Sequence, residues 1–142
     1  MSFQDEVLPL LERDIENLHN GDVEPRKELW SHADPVVLFG AHLGAVGWTE
    51  IDRTFDEVAS WFHGSRHLDI EVVAAESSGD LGYACAIERS EVVVAEGRTK
   101  SYSLRVTTVF RREHGTWLMV HRHASAYDEQ SRDTVGSLGQ EA

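Results

Sequence analysis

The sequence lacks several features, and each absence narrows what the chain can be. It holds one cysteine, Cys85, among 142 residues, so no disulfide can form within the chain. No apolar run approaches the roughly 20 residues that a membrane-spanning helix needs, and the N-terminal MSFQDEV lacks the basic and apolar regions of a secretory signal. Together these absences predict a cytoplasmic protein that does not enter a membrane.

Basic residues are also scarce. Thirteen Lys and Arg residues stand against 25 Asp and Glu residues, which gives a formal net charge of -12 at pH 7. This charge repels phosphate backbones, so no nucleic-acid partner is expected. Phosphate-binding glycine loops, GxSxG elbows, HExxH helices and CxxC pairs are absent as well. The sequence therefore contains none of the motifs that usually indicate nucleotide binding, serine-hydrolase activity or redox chemistry, and we predict no cofactor.

Apolar spacing predicts three helices in the first half of the chain. The first would carry one apolar stripe, formed by Phe3, Val7, Leu11, Ile15 and Leu18. Pro9 interrupts this stripe, which favours a helix that begins later than the stripe does. A second, short helix is predicted from Pro25 to about Trp30, and a third begins at the capping pair Thr49 and Asp52.

The remaining segments predict a sheet. β-branched and aromatic residues at 35–39 indicate a first strand, and a loop over 41–47 follows it. Four further strands, joined by short turn-forming links, are predicted at 67–77, 81–94, 101–113 and 116–127. Helices followed by an antiparallel meander predict an α+β domain in which the helices cover one face of a strongly curved sheet. We assign this single domain to residues 1–128 and a polar C-terminal tail to residues 129–142.

Two histidines near the end of the last predicted strand are candidates for chemistry. Because side chains alternate across a strand, His121 and His123 should share a face with Trp117, Met119 and Ser125, about 6–7 Å from each other. They could line one cavity, pair with polar groups inside the core, or lie at a dimer contact. Both faces of the strand are substantially apolar, which predicts a homodimer formed through the sheet.

A metal site is the alternative for the same two rings. A His-x-His pair on a strand can supply two ligands, and the third would come from His42, His32 or Glu88. No spacing singles out one of these residues, and we predict no metal.

Arg105 and several aromatic residues complete the candidate site. An arginine in the apolar run LRVTTVF is costly unless it is paired, so Arg105 should bind an anionic ligand or pair with Glu88. A curved sheet leaves a hollow that large rings must line. The rings predicted to contact a substrate there are Trp30, Phe39, Trp48, Phe62 and Tyr83.

The order of these segments resembles a known family. Over roughly residues 5 to 127, the chain is similar to the SnoaL-like branch of the nuclear transport factor 2-like superfamily. The segments that carry this resemblance are an N-terminal helix, NGD, LWS, DPVVLFG, GWTEI and above all RVTTVFRREHGTWLMVHRHAS. The resemblance implies a conical α+β barrel of cystatin-like topology, in which a bent sheet wraps around the N-terminal helices. It also implies an apolar pocket at the open end and dimerisation through the convex face.

The resemblance implies a range of functions, because the superfamily includes ketosteroid isomerases, polyketide cyclases, dehydratases and the association domain of calcium/calmodulin-dependent kinase II. One hypothesis is a cofactor-free isomerase, cyclase or dehydratase that acts on an apolar carbonyl-containing molecule. His123 would be its base and His121 a neighbouring donor, while Arg105 and Tyr83 would hold a substrate oxygen. The alternative is a non-catalytic dimeric ligand-binding or association module, since fold alone does not decide function.

Overall fold

The computed structural model describes residues 1–128; the predicted tail at 129–142 lies outside the described residues. Three helices are present: α1 (Phe3–His19), α2 (Glu24–Leu29) and α3 (Trp48–Ala59). The strands are β1 (Val37–Phe39), β2 (Gly44–Val46), β3 (Gly64–Ser78), β4 (Leu81–Val93), β5 (Thr99–Glu113) and β6 (Thr116–Ala126). None of the helices within residues 1–128 has both the length and the apolarity required to cross a membrane.

The six strands form one curved sheet in the order β2-β1-β6-β5-β4-β3. Strands β3 to β6 are the predicted antiparallel meander, and the predicted α+β class is confirmed. Two features at the β1 end were not predicted. β2 forms within the segment predicted as a loop and pairs antiparallel with β1, and β1 in turn pairs parallel with β6.

α1 begins at Phe3, so the prediction of a later start is wrong. The Ser2 hydroxyl accepts from the Asp5 backbone N–H at 3.1 Å, and the Asp5 carboxylate accepts from the Ser2 N–H at 3.2 Å. This capping box fixes the first turn. Pro9 removes one N–H from the helix, but Pro9 and Asp5 lie on the exposed side, where water can reach the unpaired carbonyl.

The start of α3 also differs from its prediction. The helix begins at Trp48, after Gly47 with φ of 85°, and no capping pair forms between Thr49 and Asp52. Instead the Asp34 carboxylate accepts from the Trp48 backbone N–H at 2.9 Å. The cap therefore comes from a residue distant in sequence, which a search for local capping motifs does not find.

The core lies between the helices and the concave face of the sheet. At the narrow end, the Phe3 ring packs edge-on against Phe110 and Trp117, with ring centroids 5.6 Å and 5.0 Å away. Gly82 on β4 permits this approach, because a Cβ atom there would lie 2.5 Å from the Phe3 ring. Close contact between α1 and the meander closes this end of the cone.

A β-bulge in β6 changes which residues face the core. Val109 of β5 is opposite His121, whereas the next residue, Phe110, is opposite Met119. Val120 is therefore an extra residue on β6, and the alternation of side chains is reset at this point.

The bulge overturns the predicted common face of the last strand. Met119 lies in the core before the bulge, and Arg122 and Ala124 are buried on the same concave side after it. His121 and His123 consequently lie on the convex face, away from Met119. A single inserted residue in a strand moves every later side chain to the opposite face.

Candidate functional site

A cavity of about 440 Å³ lies at the wide end of the cone, between the helices and the concave face of the sheet. Its size falls within the range of sites that hold a drug-sized molecule. Most of its wall is apolar, with side chains from α1, β1, α3, the segment after α3, and β5: Leu18, Leu38, Phe55, Val58, Phe62 and Leu104. A molecule that fills this space must be largely apolar.

Two buried ion pairs form the polar part of the cavity wall and its support. Arg122 donates to both carboxylate oxygens of Glu88, at 2.9 Å and 2.8 Å, and Arg26 donates to both oxygens of Asp14, at 2.7 Å and 3.2 Å. Burial lowers the pKa of Arg122, but the Glu88 carboxylate outweighs this effect and raises that pKa above its ordinary value. Each buried arginine is therefore matched by a buried carboxylate at hydrogen-bonding distance, as buried ions must be.

His19, the last residue of α1, is fully buried and lines the cavity. Its Nε2 lies 2.5 Å from the Tyr102 hydroxyl, and its Nδ1 has no hydrogen-bond partner among the described residues. Burial lowers the pKa of His19 to about 4, and the positive charge of Arg26 adds to this effect. The ring is therefore neutral at pH 7, and its buried Nδ1 is left without a hydrogen-bond partner.

Tyr102 reaches His19 from the concave face of β5. Burial raises the pKa of the Tyr102 hydroxyl, while the charge of Arg122 and a hydrogen bond with Ser90 act in the opposite direction. The pair is thus a neutral phenol and a neutral imidazole. If the hydroxyl donates to Nε2, then Nδ1 carries the ring proton and is a donor; in the other tautomer, Nδ1 is an acceptor.

The three residues predicted to be catalytic lie outside this cavity. His121 donates from Nδ1 to the Val37 carbonyl oxygen at 2.8 Å, His123 is exposed on the convex face, and Arg105 lies over the Tyr127 ring at 4.9 Å. His123 and Arg105 do line one convex groove. Their predicted catalytic role therefore stays a prediction for the convex face.

One of the two contacts considered for Arg105 is wrong. Arg105 does not pair with Glu88, because alternation along β5 turns Arg105 to the convex face while Glu88 faces the concave side and binds Arg122. The metal alternative for His121 and His123 also finds no third ligand. Within residues 1–128, no three His, Cys, Asp or Glu side chains are grouped closely enough to hold a metal ion.

Of the five aromatic residues predicted to contact substrate, the structure places Phe62 in the cavity wall. Trp30 is buried in the core against Phe55, and Trp48 stacks on His32 with ring centroids 3.9 Å apart. Phe39 and Tyr83 are exposed large residues of the convex face. Aromatic content therefore indicated a cone but did not identify its wall.

The polar residues of the cone were not identified from the sequence, although the spacing of some of them in the sequence indicates that they are buried. Asp14 and His19 occupy buried positions of the α1 stripe, three or four residues from Leu11 and Ile15. Polar residues at such positions indicate a buried polar site. Tyr102 also continues the inward alternation of β5, whereas Arg122 follows the bulge and could not be placed without the register.

Similar structures support the fold. One is a nuclear transport factor 2-like superfamily protein from Salmonella enterica serovar Typhimurium, with a TM-score of 0.73, 15% identity and coverage of 92% of this chain and 95% of that chain. Another is a ketosteroid isomerase-like protein from Erwinia carotovora atroseptica, with a TM-score of 0.71, 13% identity and coverage of 90% of this chain and 99% of that chain. A third is the association domain of C. elegans CaMKII, with a TM-score of 0.65, 11% identity and coverage of 86% of this chain and 94% of that chain.

A search of curated proteins finds no match. The sequence itself matches a family model described as a SnoaL-like domain over residues 7–129. This match covers most of the chain and agrees with both the resemblance of the strand motifs and the cone geometry. The chain belongs to the SnoaL-like domain family and has the cone fold of nuclear transport factor 2-like proteins.

Proposed function

We propose that this protein binds an apolar small molecule with a carbonyl or hydroxyl oxygen in its cone cavity, and that His19 is the polar anchor. The observation that carries the proposal is the unpartnered Nδ1 of His19, a fully buried side chain in the wall of a largely apolar cavity. A buried polar atom without a partner costs free energy. A ligand oxygen that bonds to Nδ1, after the side chains that cover this atom shift, would recover that free energy.

The proposed chemistry is that of a cofactor-free isomerase, cyclase or dehydratase. Asp14 and Glu88 are each held by an arginine, so stabilisation of a reacting oxygen by hydrogen bonds is assigned to the neutral pair formed by His19 and Tyr102. As negative charge develops on a ligand carbonyl oxygen, Nδ1–H would donate to it while the Tyr102 hydroxyl donates to Nε2. Burial raises the pKa of the Tyr102 hydroxyl, and the positive charge of Arg122 only partly offsets this effect, so the hydroxyl keeps its proton and can donate to Nε2.

Variants of two histidines test the proposal. Purified protein would be screened by thermal shift against steroids, aromatic polyketides and terpenoids that contain ketone or hydroxyl groups, with a product search by mass spectrometry. A ligand at 100 times its Kd should stabilise the fold by about 2.7 kcal/mol. His19→Gln retains a donor near Tyr102 but removes Nδ1, so it should abolish the shift and lower any turnover at least tenfold.

His123→Gln is the matched control, since it removes a ring from the convex face. It should preserve both the shift and the turnover. If His123→Gln abolished them and His19→Gln did not, the catalytic role predicted from the sequence would be supported and the cone proposal would be contradicted. Binding without product would retain the ligand site and reject the enzyme.

The convex face favours a second candidate function, that of a dimeric association module. Of the seven large hydrophobic residues with exposed side chains in residues 1–128, five lie on the convex face: Phe39, Val46, Val73, Leu81 and Tyr83. Such a concentration is typical of a surface that another protein covers. We propose that a second copy of the chain covers it, and the similarity to an association domain supports this choice.

A further inference from the structure

The charges that line the cone differ from those of the chain as a whole. The chain is strongly acidic, with 25 Asp and Glu residues against 13 Lys and Arg residues. Among the described residues, however, Glu88 is the only carboxylate that lines the cavity, whereas Arg26, Arg122 and Lys100 all do. The wall is therefore cationic in an acidic protein, which is the arrangement that attracts an anion into a cleft.

The two arginines of the wall are not expected to bind an anionic ligand. Arg122 is bound to Glu88 through two hydrogen bonds and Arg26 to Asp14 in the same way. Because their positive charges are already matched by buried carboxylates, a second anion beside them would lack a free counter-charge. The deep part of the cavity is thus suited to a neutral polar group.

Lys100 is the available cation. Its side chain is exposed, lines the cavity and forms no ion pair with a carboxylate of residues 1–128. Lys100 lies two residues before Tyr102 on β5, so both project from the concave face, roughly 7 Å apart along the strand. Lys100 is exposed whereas Tyr102 is partly buried, so Lys100 lies nearer the mouth.

We propose that the natural ligand is an apolar carboxylic acid that also carries a neutral oxygen, a proposal that rests on the function proposed above. The neutral oxygen bonds to His19 in the cone, the apolar body fills the hollow, and the carboxylate lies at the mouth beside Lys100. His42 is a second exposed nitrogen-bearing side chain of the cavity lining. Lys100 thereby determines the orientation of the ligand.

Three rigid fluorescent probes test this arrangement: 6-hydroxy-2-naphthoate, its methyl ester, and 2-naphthoate. The acid and the ester differ in charge, and 2-naphthoate lacks the hydroxyl oxygen. Since an exposed ion pair contributes at most about a fivefold change in affinity, the hydroxy acid should bind three- to fivefold more tightly than its ester. Salt at 0.5 M should remove the difference, because it screens exposed charges.

Lys100→Ala should weaken binding of the hydroxy acid three- to fivefold and leave binding of the ester unchanged. Arg66→Ala, which removes an exposed positive charge from β3 outside the cavity lining, is the matched control and should change neither. Equal affinity of acid and ester, or an equal effect of Lys100→Ala on both, would overturn the proposal. Ester binding that depends on His19 would still support the proposed function, whereas failure of every probe to bind would count against both.

Discussion

At the residue scale, His19 shows how a single buried ring can link stability to pH. The side chain is fully buried, and the pKa of His19 is about 4, with burial as the larger cause and Arg26 as the next. In the unfolded chain, a histidine has its ordinary pKa of about 6.5. The unfolded state therefore binds a proton at a pH where the folded state does not.

The direction of the effect follows from proton linkage. Above pH 6.5, His19 is neutral in both states and contributes no pH dependence. As the pH falls from 6.5 towards 4, protons bind the unfolded state preferentially and the free energy of unfolding decreases, by about 3 kcal/mol for this group. Chemical denaturation of the native protein at pH 7 and pH 5 should show a loss of about 2 kcal/mol from His19.

The variant His19→Gln isolates this contribution. It should be less stable than the native protein at pH 7, yet its stability should fall by about 2 kcal/mol less between pH 7 and pH 5. His67→Gln, which removes an exposed ring from β3, controls for the loss of one histidine and should keep the native slope. Parallel pH curves for native protein and His19→Gln would contradict the buried, neutral state of this ring.

At the element scale, the packing of α1 onto the meander depends on the absence of a side chain at one position. The sequence predicted both α1 and β4, since each has its own apolar period. It did not predict that the Phe3 ring would lie against the backbone of Gly82, because this contact joins residues far apart in the chain. The same limitation applies to the bulge at Val120, which depends on the register between β5 and β6.

Gly82→Ala tests this contact between elements. The added Cβ would lie 2.5 Å from the Phe3 ring, so the free energy of unfolding should fall by about 1–3 kcal/mol through overpacking. Gly44→Ala in β2 is the matched control, because its Cβ would meet the Leu38 carbonyl oxygen at an ordinary 3.6 Å. In urea denaturation, the double variant Gly82→Ala with Phe3→Leu should lose less than the sum of the single losses. Additive losses would show that the two residues do not compete for space.

At the scale of the whole molecule, the sheet separates a concave and a convex surface that differ in their residues. The concave face holds the packed core at the narrow end and the cavity at the wide end. The convex face carries His121, His123 and Arg105 together with the exposed apolar residues. The proposed ligand site and the proposed dimer contact thus lie on opposite faces, and we expect that each can be altered without a direct effect on the other.

The proposed dimer can be measured directly. Light scattering should give twice the chain mass of 15.9 kDa, and Phe39→Glu or Val73→Glu should give the single-chain mass, because a charge in a buried interface is costly. Trp61→Glu is the control, since Trp61 is an exposed apolar residue of the cavity lining. It should leave the dimer intact. A native protein of single-chain mass would reject the dimer, and so would dissociation by Trp61→Glu alone.

The sequence by itself determined the fold class, the helices, the four-stranded meander and the family, because apolar periods and strand motifs are local properties of the chain. The tertiary structure alone decided which polar residues enter the cone. His19 and Tyr102 are brought together from α1 and β5, and one extra residue in β6 sends Arg122 inward and His123 outward. Strand register and helix docking are contacts between distant residues, and a shift of one position exchanges the faces of a strand.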